Sequence, residues 1–107
     1  MGAVPEVVFL NTSGGLTDGD SVFYGLTLGE ACHVSATTQT AERVYASRGG
    51  AAQAAVQMQI GAGGRLDWLP QETILFEDSH LARSTQIDLA EDASCLLCES
   101  VVLGRHA

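Results

Sequence analysis

Apolar and polar residues alternate along three separate stretches of this chain. Val22, Tyr24, Leu26 and Leu28 fall on one side of an extended backbone, with Ser21, Phe23, Gly25 and Thr27 on the other. That is the period-two pattern of a half-buried strand. Val56, Met58 and Ile60 repeat it around Gln57 and Gln59, and Ile87 and Leu89 repeat it around Asp88. Ala and Gln also suit a helix, so Ala51 to Ile60 admits a helical reading; the repeat register and Gly61 favour a strand. After each stretch comes a five-residue turn of small or acidic residues, then a second alternating arm. Leu28 leads through Gly29-Glu30-Ala31-Cys32-His33 to Val34 and Ala36, and Ile60 through Gly61-Ala62-Gly63-Gly64-Arg65 to Leu66 and Trp68. Leu89 leads through Ala90-Glu91-Asp92-Ala93-Ser94 to Cys95 and Leu97, so the equivalent positions 28, 60 and 89 are spaced by 32 and 29 residues.

Each unit reads as a hairpin. A lone hairpin is marginal in water, whereas stacked ones bury a shared apolar face and leave their turns in a row. The expected architecture is therefore all-β: stacked β-hairpins in a layered, β-helix-like solenoid with few or no helices. The return segments, Thr40 to Ala54 and Thr73 to Ser84, read as loops or short irregular elements. Val7 to Leu10 reads as a strand running into a glycine-rich turn. Val101-Val102-Leu103 reads as a last strand with no closing element after it, which suggests a single domain, residues 1–107, that is part of a longer protein. Between these lies Trp68-Leu69-Pro70-Gln71-Glu72-Thr73-Ile74-Leu75-Phe76. A proline and a carboxylate among apolar residues mark a strand that stops and turns beside an acid. Trp68, one strand step from Leu66, is expected to fill the core.

Composition narrows the function classes. A chain of 107 residues has room for one core. Thirteen acids against five bases give a formal charge of -8, which repels nucleic-acid backbones and suits cationic ligands. All five bases are arginine, which excludes a Schiff-base lysine and a P-loop lysine. No apolar run reaches the roughly 20 residues of a membrane span, and no signal-peptide pattern opens the chain. A cytoplasmic location with free thiols at Cys32, Cys95 and Cys98 is the expectation.

Ser13 to Asp20 packs three glycines and two acids into eight residues, a tight turn that delivers Asp18 and Asp20 to one place. A cation path and an ordinary solvated turn both fit. A calcium-stabilised repeat is a further alternative, although the EF-hand pattern stops after two acids. Cys95-Leu96-Leu97-Cys98 has the spacing of a zinc or redox motif. A strand sends residues three apart to opposite faces, however, so core packing of the thiols is favoured. His33, His80 and His106 read as surface or capped residues. A carbohydrate-active enzyme using Asp20 with Glu72 as paired carboxylates is the other alternative.

The Trp68–Phe76 block closely resembles a signature of UreD, the urease accessory protein family, and three further segments join it in the family's order. Gly14-Gly15-Leu16 ending in Gly19-Asp20 is similar to the family's Pro-Pro-Gly-Gly-Leu-x-x-Gly-Asp motif, with Thr12-Ser13 in place of the prolines and Asp18 in place of a glycine. Thr37-Thr38-Gln39-Thr40-Ala41 leading to Val44-Tyr45 and Ser47 is similar to its Thr-Thr-Pro-x-Ala-x-x-x-Tyr-x-Ser element, and Leu103-Gly104-Arg105 to its Leu-Gly-Arg segment. The resemblance implies an all-β, helix-like stack of strands with a few helices, and a role that is not enzymatic. It implies a scaffold that binds apo-urease and UreF, and through UreF the GTPase UreG, so that nickel reaches urease along a path that includes a passage through UreD. No cofactor is tightly bound in such a role, and Ni²⁺ is held only in transit. The acids placed on that path are Asp20 and Glu72, with Asp18 and Asp67 as weaker members. Gly14, Gly15, Gly19, Tyr45, Trp68, Pro70, Gln71, Gly104 and Arg105 are the motif residues with structural roles. Nucleic acid and membrane are not expected partners.

Overall fold

The computed structural model describes residues 4–10, 15–17, 19–47 and 49–104. Gly14, Asp18, Arg105 and His106 lie outside the described residues. The described chain forms strands β1 (Glu6–Phe9), β2 (Ser21–Leu28), β3 (His33–Thr38), β4 (Glu42–Val44), β5 (Ala52–Ile60), β6 (Arg65–Trp68), β7 (Thr73–Leu75), β8 (Leu81–Leu89), β9 (Ser94–Leu97) and β10 (Val101–Leu103), with no helix among them. Three sheets result. A long-strand face runs β2-β5-β8, a four-stranded core face runs β1-β3-β6-β9, and a short-strand face runs β4-β7-β10. Every pairing between named strands is parallel. The chain thus winds as a solenoid, visiting the core, short-strand and long-strand faces in turn. Leu16, bridged in parallel to Val44, stands for the short-strand face in the first turn.

The equivalence of positions 28, 60 and 89 is realised in space, because Leu28 pairs with Ile60 and Ile60 with Leu89. The following arms keep step: Val34, Leu66 and Cys95 lie side by side, as do Ala36, Trp68 and Leu97. The all-β solenoid expectation holds. Within it, the hairpin reading is corrected. The arms on either side of each five-residue turn do not pair with one another; they pass to different faces and pair with the same arm one turn of the solenoid away. Local alternation cannot tell these cases apart, since an arm buries alternate residues either way. Backbone bonds join the stacked turns: Ala31 N–H donates to the Ala62 carbonyl and Gly63 N–H to that of Glu91. Gly61 has a plain reason to be glycine, since a Cβ there would lie 2.8 Å from the Gly29 carbonyl carbon.

The return segments also differ from expectation. Thr40 to Ala54 and Thr73 to Ser84 are not merely loops, because they contribute β4 and β7 and the first residues of β5 and β8. Two apolar clusters fill the interior. The larger unites Leu28, Ala36, Val56, Met58, Ile60, Leu66 and Trp68, with Phe9, Tyr24 and Leu26 packed against it. Trp68 is fully buried, as expected. Phe9 stacks on Tyr24 at 4.7 Å and meets Trp68 edge-on at 5.9 Å. The smaller cluster holds Leu16, Val44 and Ala52. Of the two thiols expected in the core, only Cys95 packs against it, while Cys98 follows β9 and is exposed.

Candidate functional site

The corner where the chain leaves the core face for the short-strand face gathers two of the motifs. Thr37 Oγ1 donates to the Leu69 carbonyl at 2.6 Å, and Gln71 N–H donates to Thr38 Oγ1 at 2.9 Å. The second turn's Thr37-Thr38 thereby clasps the third turn's Leu69-Pro70-Gln71, where a proline without an N–H is acceptable because the strand has ended. Behind the clasp, Tyr24, Thr38, Glu42, Gln71, Thr73 and Arg83 help line a small cavity that leaves about 10 Å³ for the centre of a water molecule. That is room for about one water. Hydroxyls, an amide, one carboxylate and one guanidinium can hold a small polar guest loosely. Burial pushes the Tyr24 phenol above its ordinary pKa, the charge of Glu42 adds to this, and Arg83 opposes it.

Three more motif residues, Gly15, Tyr45 and Gly104, form a column with Phe76 beside the short-strand face. Tyr45 and Phe76 stack at 5.2 Å with rings parallel to within 1°. Gly15, at φ +145°, lies flat against the Tyr45 ring, so that a Cβ there would fall inside it, and Gly104 closes against Phe76 at the other end. Glycine, two aromatic rings and glycine make one stack through successive turns.

A polar network absent from the sequence reading sits inside the coil. Glu99, in the corner after β9, accepts from Trp68 Nε1 at 2.9 Å, from Arg83 at 2.7 Å and from Thr85 Oγ1 at 2.9 Å. Burial raises the Glu99 pKa, but the hydrogen bonds from Arg83, Trp68 and Thr85 and the charge of Arg83 outweigh it and hold the carboxyl below its usual value. A signal was present: Arg83 and Thr85 occupy the positions paired with apolar Ala54 and Val56, where a polar side chain needs an interior partner.

Of the acids singled out from sequence, Asp18 lies outside the described residues, and Asp20, Glu72 and Asp67 do not converge. Asp20 is exposed at the corner before β2, and its Oδ2 accepts the Thr17 N–H at 3.1 Å. Glu72 is half-buried at the corner before β7. They occupy different corners, two turns apart, which is roughly 10 Å along the axis at one strand spacing per turn. Asp20 and Glu72 therefore do not form the close carboxyl pair that glycoside chemistry uses. Asp67 points outward between His33 Nε2 at 3.2 Å and Arg65 Nε at 3.0 Å. Among the described residues no three His, Cys, Asp or Glu are grouped to hold a metal, and no helix is long and apolar enough to cross a membrane.

A family model described as UreD urease accessory protein matches residues 1–107. The chain is 65% identical over 106 residues to the urease accessory protein UreD of Cereibacter sphaeroides, covering 99% of this chain and 38% of that protein. It is 53% identical over 104 residues to the protein of the same name from Dinoroseobacter shibae, covering 97% of this chain and 37% of the relative. Against that of Rhizobium leguminosarum bv. viciae it is 43% identical over 102 residues, or 95% and 37%. The chain thus spans under two fifths of the length of the curated relatives it matches.

Proposed function

This chain belongs to the UreD family of urease accessory proteins, and from that premise we propose that its protein is a non-catalytic scaffold, or chaperone, in urease maturation. In this reading it acts in the cytoplasm, binds apo-urease and UreF, engages UreG through UreF, and helps nickel into the urease active site. The match along the whole chain carries the proposal. The fold supports it as well, because a solenoid offers long, flat outer faces to partners while its packed interior keeps them in fixed relation.

Nickel is cargo here. A transit path needs oxygen ligands that hold Ni²⁺ loosely, in place of imidazole or thiolate sets that would retain it. Asp20 and Glu72 remain the proposed contacts. Asp18 and Asp67 are secondary, and Asp67 is the less suited, since Arg65 and His33 already occupy its oxygens. Separate corners fit successive contacts along a route better than one chelating site. The test is recovery of a complex: the complete protein, tagged and expressed with the urease subunits and UreF, should carry both through purification. Recovery of neither would end the scaffold reading.

A further inference from the structure

We draw no further inference here: the strongest candidate, the apolar edge of the last solenoid turn where Leu89, Leu97, Val101 and Leu103 stand exposed on β8, β9 and β10, is an unpartnered surface and nothing in the structure shows what covers it.

Discussion

Glu99 joins three parts of the molecule through one carboxylate, touching Trp68 on β6 and Arg83 and Thr85 on β8. Glu99→Gln keeps the shape and removes the charge, and should cost about 1 to 3 kcal/mol in urea unfolding near pH 7. Because the folded carboxyl binds its proton less tightly than the unfolded one, protonation favours unfolding. The contribution is complete above the unfolded value of about 4.3 and drains away as pH falls through the lower folded value. The gap between wild type and Glu99→Gln should close over that window. A gap that stays constant to low pH would contradict the network. Trp68 lies at the centre of the same region, so Trp68→Ala should cost about 3 to 5 kcal/mol, and a near-neutral melting shift would show that the ring bears little of the core. For cargo, Asp20→Ala or Glu72→Ala should lower urease activation while UreF capture survives; unchanged nickel in urease would remove them from the path.

At the scale of strands and turns, the prediction that separates a solenoid from stacked hairpins is a cross-link. Gln57 and Gln86 are parallel neighbours on exposed positions, so a Gln57→Cys, Gln86→Cys pair in a background without the native thiols should oxidise to a disulfide. A hairpin would place residue 57 beside β6 and leave the pair unlinked. Much of this level was legible in the sequence. Positions 28, 60 and 89 announced themselves through alternation followed by similar turns, and the same positions pair in space. Pairing direction was hidden, because burial of every second residue is the same in an arc and a hairpin. Two strands of the short-strand face were hidden too: Glu42–Val44 and Thr73–Leu75 are three residues each, too short to display a period. The close packing at Gly15 and Gly104 became visible only in the structure. Gly15→Ala should cost about 1 to 3 kcal/mol by overpacking against Tyr45, a thermal-melt difference that Gly19→Ala, with nothing near its added carbon, should not owe to packing.

For the whole molecule, successive turns fix the distances between corners, so Asp20 and Glu72, which occupy different corners, are held on a common frame. The candidate residues were legible only as motif members. Their separation was not, since corner identity depends on which face each strand joins. The excess of acids over bases sets a field around this chain that favours cations and disfavours nucleic acid. The most direct test of this account is the nickel content of urease purified from cells from which the gene for this protein has been removed. The expected result is intact urease protein with nickel far below one full complement per active site, restored when the complete gene is returned. Full nickel loading in its absence would contradict it.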